Sequence, residues 1–205
     1  MELKSVKRYY FDHNATTPVS REAIQEMLPC MAEVYGNASS IHHYGQAAKH
    51  ALETARKRTA MLLHCDPRDL VITSGGTEAD NLALLGAARA AGAGPRHIVT
   101  TAIEHPAVLS ACRQLEREGV DVTYVEPDRA GVVPAEAVRA ALRSHTVLVS
   151  VMHANNETGA LQPIAEIAQV AHDAGALFHS DGVQAAGRIP VDVRALHVDL
   201  YSISG

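Results

Sequence analysis

Three stretches of the sequence place polar side chains just after short apolar runs, where they could bind a ligand. Ser74-Gly75-Gly76-Thr77 follows the run LVIT, Glu104-His105 comes shortly after HIVT, and Asp181 ends the run LFHS. In open α/β sheets, ligands bind in the crevice outside the carboxyl ends of the strands. If the three runs are neighbouring strands, these residues belong to one site.

The glycine pair favours a phosphate group. Gly75 and Gly76 allow a ligand to approach the backbone closely, and the helix that starts at Thr77 offers free N–H groups and a positive dipole end. The stretch matches neither G-x-x-x-x-G-K-[ST] nor G-x-G-x-x-G, so a nucleotide triphosphate or a dinucleotide is disfavoured. The motif alone leaves a second interpretation open, an ordinary strand-to-helix turn capped by Thr77.

The other polar residues favour a flat, protonated ring. His105 could lie against a planar ring, although a half-buried histidine before a helix is an equally ordinary feature. A carboxylate at the end of a buried strand, such as Asp181, is costly unless it is paired. A protonated pyridine nitrogen would pair it. A phosphate, a flat ring and a ring nitrogen that needs an anion together describe pyridoxal phosphate, whose protein partners commonly include an aspartate.

A metal site is not predicted. The chain has 12 histidines, and His179-x-Asp181 could supply two ligands. The histidines do not cluster as H-E-x-x-H or with cysteines, however. Cys30, Cys65 and Cys112 are odd in number and scattered, which fits packing in a reducing compartment better than a disulfide framework.

The elements that must position these residues alternate along the chain. Strands separated by helices at this interval predict an α/β fold with a mainly parallel sheet flanked by helices. In the third predicted helix, Ala79, Leu82, Ala83 and Gly86 have the spacing of one buried face. The predicted helices cover residues 21–33, 43–63, 77–91, 106–118, 134–142 and 163–174, and the predicted strands cover 8–11, 70–73, 97–100, 120–125, 146–152, 177–180 and 199–203.

Composition excludes several classes of function. The 205 residues carry a net charge of -5 and no basic stripe, so nucleic-acid binding is not expected. No apolar run reaches the length of a membrane span, and the N-terminus lacks the apolar core of a signal peptide. A cytoplasmic protein that does not bind membranes is the expectation.

The motifs together resemble a known family. FDHNATTP, GNASSIHHYG, TSGGTEADN, TAIEHPAV, MHANNETGALQPI, FHSDGVQ and DLYSISG, in this order and spacing, are similar to the cysteine desulfurases of the NifS/IscS type. These are class V, fold-type I pyridoxal-phosphate enzymes. The resemblance covers essentially the whole chain. It implies that residues 20–205 form most of the large cofactor-binding domain, incomplete at its C-terminus, and that residues 1–19 belong to the small domain and lie outside the sheet.

The resemblance also implies a role for each residue of the site. Gly76 and Thr77 would bind the cofactor phosphate, with Ser204 in support. His105 would stack on the ring as the catalytic residue of the set, and Asp181 would keep the ring nitrogen protonated.

Two further positions complete the implied cofactor site. Asn156 and Gln184 would hydrogen-bond around the phenolic oxygen of the ring. On the substrate side, the resemblance points to the segment Asn14, Ala15 and Thr16 and to the loop 37–42, without assigning single contacts.

The function implied is removal of sulfur from L-cysteine, which gives L-alanine and a protein persulfide. The sulfur would serve iron-sulfur cluster assembly or another sulfur-transfer pathway. A homodimer and a sulfur-acceptor or scaffold protein are the implied partners. Selenocysteine lyase and class V aminotransferase are alternatives on the same fold, and a non-catalytic truncated partner is an alternative from another class.

The family features that the sequence lacks lead to one further expectation. The cofactor-binding lysine of the family would stand two residues past Gly205, and its persulfide cysteine and substrate-binding arginine would follow later. The chain therefore has the pattern of an N-terminal half, and the 205 residues alone are predicted to be inactive.

Overall fold

The computed structural model describes residues 7–13 and 15–205, so Asn14, assigned above to the substrate side, lies outside the described residues. The chain forms two compact units, Met1–Ala55 and Arg56–Gly205. In the first unit, helix α1 spans Arg21–Ala32, and its N-cap is Ser20, whose Oγ accepts a hydrogen bond of 3.1 Å from the Ala23 N–H. Helix α2 spans His43–Leu63, the bounds that its periodicity predicts.

The strand predicted at residues 8–11 is wrong. These residues form irregular chain, and the side chains of Tyr9, Tyr10 and Phe11 are exposed. Aromatic residues favour strands only when a neighbouring strand and a buried face are available. The described residues offer neither at this point, since every strand of the sheet lies between His97 and Ser202.

The second unit contains a five-stranded, fully parallel sheet, which confirms the predicted fold class. The strand order is β2-β1-β3-β4-β5. The strands are β1 His97–Thr101, β2 Asp121–Val125, β3 Thr146–Ser150, β4 Leu177–Asp181 and β5 Leu200–Ser202.

Helices cover both faces of this sheet because successive side chains of a strand point to opposite faces. Ile98 and Leu148 pack with α3 and α4 on one face, whereas Val99 and Val149 pack with α5 and α6 on the other. The helices are α3 Gly76–Ala90, α4 Pro106–Arg117, α5 Ala135–Ala141 and α6 Ile164–Asp173. A short 3₁₀ turn occupies Pro67–Asp69. None of the described helices combines the length and the apolar character that a membrane span requires.

The buried strand predicted at residues 70–73 is also wrong. The side chains of Val71 and Ile72 are 72% and 62% exposed, and the Leu70 carbonyl accepts a hydrogen bond from the Arg56 guanidinium instead of from a strand. A short apolar run predicts burial, but burial also requires a surface to pack against. Among the described residues, none forms a sheet ladder with this run.

Helix α3 buries a different face from the predicted one. Its buried residues are Asp80, Ala83, Leu84, Ala87 and Ala88, whereas Leu82 and Gly86 are exposed. The apolar spacing fixes the helix but not its rotation, because alanine is compatible with both faces. The rotation turns a carboxyl group, Asp80, toward the interior.

Candidate functional site

The strand order creates a crevice at the carboxyl edge of the sheet. The chain runs from β1 outward to β2 and then returns to the other side of β1 with β3, so the order reverses between β1 and β3. At such a switch point, ligands bind outside the strand ends. A crevice of about 200 Å³ lies there. Its lining contains all the predicted cofactor residues, Gly76, Thr77, His105, Asn156, Asp181, Gln184 and Ser204, together with Asp80, Met152 and Val183.

The start of α3 is shaped to receive an anion. Gly75 at the N-cap has φ 155° and ψ -179°, a conformation essentially restricted to glycine. Since glycine has no side chain to cap the helix, the first N–H groups of α3 are left for a ligand. A Cβ atom on Gly76 would lie 2.9 Å from Cγ2 of Val183. Both glycines are therefore required by the geometry of the crevice.

His105 is held in one orientation at the start of α4. It is the N-cap residue of this helix, and its Nδ1 accepts a hydrogen bond of 3.2 Å from the Ala107 N–H. Pro106 occupies the first helical position, where its missing N–H costs nothing. Because Nδ1 is an acceptor, the proton of the neutral ring resides on Nε2. The imidazole therefore lines the crevice with a fixed ring plane and a fixed tautomer.

Asp181 is the last residue of β4 and is 5% exposed. Its Oδ1 accepts a hydrogen bond of 2.9 Å from the Val183 N–H. Burial raises the pKa of the carboxyl group, while the hydrogen bond from the Val183 amide acts in the opposite direction. The site therefore contains a buried carboxyl group whose ionised form is favoured by one backbone amide.

The two adjacent asparagines have different surroundings. Asn155 is buried, and its Oδ1 accepts hydrogen bonds from the N–H groups of Glu157 and Thr158 at 3.0 and 2.9 Å. Its Nδ2 donates to the Ile103 carbonyl at 3.1 Å, which joins the loop after β3 to the loop after β1. Asn155 thus shapes the loop that places Asn156 in the lining of the crevice.

Gln184 and Ser204 reach the crevice from the segments after β4 and β5. The Gln184 Oε1 accepts a hydrogen bond from the Arg188 guanidinium, which leaves its amide N–H groups as donors. Ser204 lies beside the start of α3, with its Cβ 3.7 Å from the position that a Gly76 Cβ would occupy. Both predicted residues are therefore part of the same site as the helix start.

Two buried carboxyl groups belong to this region, Asp80, which was not predicted, and Glu104, which was predicted to lie at the site without a role of its own. Asp80 lines the crevice and is 1% exposed, and burial, followed by the charge of Asp181, raises its pKa to about 7. Glu104 is 5% exposed, and burial raises its pKa to about 8. The available signal for Asp80 was its position one helical turn after Gly76, on the same side of α3. For Glu104, adjacency to His105 was the only signal.

His179, considered above as a metal ligand, forms a buried hydrogen-bonded cluster. Its Nδ1 lies 2.9 Å from Ser150 Oγ, and its Nε2 lies 2.9 Å from Ser202 Oγ. Burial lowers its pKa to about 3. The imidazole is therefore neutral and joins β3, β4 and β5 beneath the crevice.

A family profile and two known proteins with similar sequences match nearly the whole chain. The profile of the family described as "Aminotransferase class-V" matches residues 9–205. The chain is 47% identical over 199 residues to a cysteine desulfurase IscS of Methanosarcina thermophila, covering 97% of this chain and 49% of the relative. It is 50% identical over 196 residues to the IscS of Anaeromyxobacter sp. (strain K), covering 95% of this chain and 48% of the relative.

Solved structures show the same similarity. A NifS-like protein superposes with a TM-score of 0.93 at 38% identity, covering 97% of this chain and 55% of the other. SspA in complex with cysteine superposes with a TM-score of 0.92 at 37% identity, covering 96% of this chain and 56% of the other. The chain spans about half the length of the curated relatives it matches.

Proposed function

The chain belongs to the class-V aminotransferase family, and from this premise we propose that it carries the cofactor site of a pyridoxal-phosphate-dependent cysteine desulfurase. The observation that carries the proposal is the convergence of the α3 start and the buried Asp181 on one crevice. The curated relatives, which are named cysteine desulfurases, support the same activity.

The residues of the crevice fit pyridoxal phosphate. The uncapped start of α3 supplies N–H donors and a positive dipole end for a phosphate group. Asp181 supplies a carboxyl group that burial would make costly to ionise without a cation, and a protonated ring nitrogen is such a cation. His105 has a ring plane that its hydrogen bond to the Ala107 N–H fixes.

Each side chain then has a definite task. Gly76 and Thr77 would bind the phosphate, with Ser204 beside them, and Asp181 would hold a proton on the ring nitrogen. When bound, pyridoxal phosphate supplies an electron sink for negative charge that develops at the substrate's α-carbon. The neighbouring Asn156 and Gln184 would orient the ring through its phenolic oxygen.

His105 is the residue that we place on the face of the ring. The N-cap hydrogen bond restrains rotation of its imidazole, and the Nε2–H is available as a donor on the crevice side. A ring held in this way would exclude water from one face of a bound cofactor and would limit the directions from which a substrate can approach.

The substrate and the partners are part of the proposal. We expect L-cysteine as substrate, L-alanine as product, and a sulfur-acceptor or scaffold protein as recipient of the sulfur. One related structure is described as SspA in complex with cysteine, which supports this choice of substrate. A homodimer and a cytoplasmic location complete the proposal, as does a division between a small-domain segment at residues 1–19 and a large domain at 20–205.

The cofactor site can be tested by titrating the purified chain with pyridoxal 5'-phosphate. Asp181→Asn removes the anion and should weaken binding more than tenfold. Asp173→Asn is the matched control, because Asp173 is exposed at the end of α6. Equal affinity of the wild type and Asp181→Asn would contradict the proposed cofactor site.

The reaction is tested on the protein that carries this chain. Sulfide and alanine should form from L-cysteine in the presence of a reductant. Selenide release from selenocysteine without activity on cysteine would identify a lyase instead, and transfer of the amino group to a keto acid would identify an aminotransferase.

A further inference from the structure

Asp80 is a carboxyl group of the crevice that no predicted role uses. It follows Gly76 by one turn of α3, so the helix whose start offers N–H groups also directs an acid into the same crevice. The residue is 1% exposed, and its Oδ1 has no hydrogen-bond partner among the described residues. An unpartnered buried carboxylate is costly, so a group in this position keeps its proton unless a cation is available.

The nearest basic group to Asp80 is not a cation. His179 Nε2 lies 3.7 Å from Asp80 Oδ1, but the ring is fully buried between the hydroxyl groups of Ser150 and Ser202. Burial lowers the pKa of His179 to about 3. The pair is therefore a neutral imidazole beside a carboxyl group and not a salt bridge.

Asp80 and Asp181 line the same crevice in different environments. Asp181 accepts a hydrogen bond from the Val183 amide, which favours its ionised form. For Asp80, both burial and the charge of Asp181 raise the pKa, and only the Ser202 hydroxyl acts in the opposite direction. The different environments give the two carboxyl groups different pKa values. At a pH between these values one group is protonated and the other is ionised, so the two can take different roles.

Building on the proposed cofactor site, we propose that Asp80 acts as a neutral acid that leaves Asp181 as the single carboxylate of the crevice. Asp80 is thus a positioning residue that acts through Asp181. One negative charge would then be available to hold a protonated ring nitrogen, and a second, uncompensated anion would be avoided. Asparagine at position 80 would reproduce the shape and neutrality of the protonated acid.

Several titratable groups surround Asp80, and a titration must distinguish its protonation from theirs. Asp181 and His179 face it from β4, Ser202 from β5, and Glu104 and His105 belong to the connection between β1 and α4. Glu104 is itself buried and lies close enough for the charge of Asp80 to raise its pKa. Asp80 must therefore be observed by an aspartate-specific signal.

The first test is an NMR titration of the chain labelled with ¹³C at the aspartate carboxyl carbons. One resonance should titrate with a midpoint near pH 7, should vanish in Asp80→Asn, and should move to a lower midpoint in Asp181→Asn. A purely structural Asp80 would show no such shift. If Asp181 supplies the resonance near pH 7 and Asp80 titrates below it, the assignment is reversed and the proposal fails.

The second test is binding of pyridoxal 5'-phosphate. Asp80→Leu, which places an apolar group beside Ser202 and His179, should weaken binding at least tenfold, and Asp80→Asn should restore it to within about threefold of wild type. Asp80→Ser replaces the leucine variant if thermal unfolding shows that the leucine variant does not fold. Loss of binding in Asp80→Asn equal to that in Asp80→Leu would overturn the proposal.

The two tests also separate this proposal from the proposed function. A wild-type chain that shows the predicted aspartate titration but binds no pyridoxal phosphate would contradict the cofactor site and support the division between the two carboxyl groups. A chain that binds the cofactor through Asp181 but shows no aspartate titration near pH 7 would contradict the role of Asp80 alone.

Discussion

The carboxyl group of Glu104 accepts a hydrogen bond of 2.9 Å from the backbone N–H of Met152. The same oxygen, Oε1, accepts a hydrogen bond of 2.7 Å from Thr101 Oγ1. Glu104 therefore joins the connection after β1 to the residues after β3, the two segments that flank the switch point of the sheet. His105 and Met152, which line the crevice, take their relative positions from this link.

Glu104→Ala should destabilise the chain by about 2–4 kcal/mol, because it leaves two buried donors without an acceptor at about 1–3 kcal/mol each. Glu104→Gln should retain most of the stability, since its Oε1 can still accept both hydrogen bonds. Urea unfolding of the three proteins measures the difference. Equal losses in both variants would contradict the link.

The same pair of proteins tests the protonation state of Glu104. Its pKa is raised from 4.5 to about 8 by burial, so the folded state holds a proton that the unfolded state releases. This stabilising contribution is complete below pH 4.5 and is lost as the pH rises to about 8. The stability of wild type relative to Glu104→Gln should decline over this range, and a constant difference would contradict it.

Substitution of Gly76 should damage the phosphate cradle. In Gly76→Ala, the new methyl group would lie 2.9 Å from the Val183 side chain, so the α3 start or the loop after β4 must move. Affinity for pyridoxal phosphate should fall at least tenfold. Gly86→Ala in the same helix is the matched control, because no atom beyond the adjacent residues and the surrounding helix backbone lies within 4 Å of its new methyl group.

The control substitution Gly86→Ala should itself change the stability of the chain. An alanine in a helix interior is favoured over glycine by about 0.5–1 kcal/mol, so Gly86→Ala should raise the unfolding midpoint without changing affinity. Similar loss of cofactor binding in both variants would show that α3 as a whole, and not the crevice, responds to the substitutions.

Local sequence patterns determine where helices begin and end, but they do not determine which apolar runs join the sheet. Pro106 marked the start of α4 because a missing N–H is tolerated at the first helical position. Residues 70–73 have an equally clear apolar run and yet remain outside the sheet, because pairing depends on a partner that the run cannot specify. Helix bounds follow from local chemistry, whereas strand pairing does not.

The same contrast applies to the site. The residues at strand ends, such as Asp181 and His105, could be predicted because a parallel sheet gathers its carboxyl ends at one edge. The position of Asp80 one turn after Gly76 does not suffice to predict its burial, because the burial depends on the rotation of α3. A change of one position in the buried face would have directed a different side chain into the crevice.

His97 should make the fold sensitive to acid. Its ring is fully buried, with Nδ1 2.8 Å from Thr146 Oγ1 and Nε2 2.9 Å from Thr123 Oγ1, and it links β1 to both neighbouring strands. Burial is the main cause that lowers its pKa from 6.5 to about 4, and the charges of Arg143 and His145 add to it. Protonation would place a cation between two hydroxyl groups in the interior.

Because the folded pKa is the lower one, the contribution of His97 is present above pH 6.5 and is lost as the pH falls to about 4. In His97→Gln, the dependence of unfolding free energy on pH in this range should decrease by up to about 1.4 kcal/mol per pH unit. His50→Gln, at an exposed position of α2, should leave the slope unchanged. A wild-type slope in His97→Gln would refute the assignment.

The 205-residue chain, supplied with pyridoxal phosphate, cysteine and a reductant, should release no more sulfide than the free cofactor. No lysine is present among the described residues that line the crevice. Burial raises the pKa of Cys112 to about 12 and also raises that of Cys65, so neither thiol forms the reactive thiolate readily near neutral pH.

A curated relative assayed in parallel supplies the positive control. Sulfide release by the chain above the cofactor background would require another base and another thiol. In that event Cys30→Ser would show whether the exposed thiol of α1 is the acceptor.

The strand order also bears on how fast the site can form during folding. Every ladder of the sheet is parallel and joins distant parts of the chain; His97 of β1, for instance, pairs with Thr146 of β3. Such non-local pairing slows folding, because the loop-closure entropy is lost before the contacts are gained. The switch point is formed by β1 and β3, so a nascent chain released before β3 is synthesised has no crevice to bind a ligand. A ligand of the crevice can therefore bind only after the central ladder between β1 and β3 has closed.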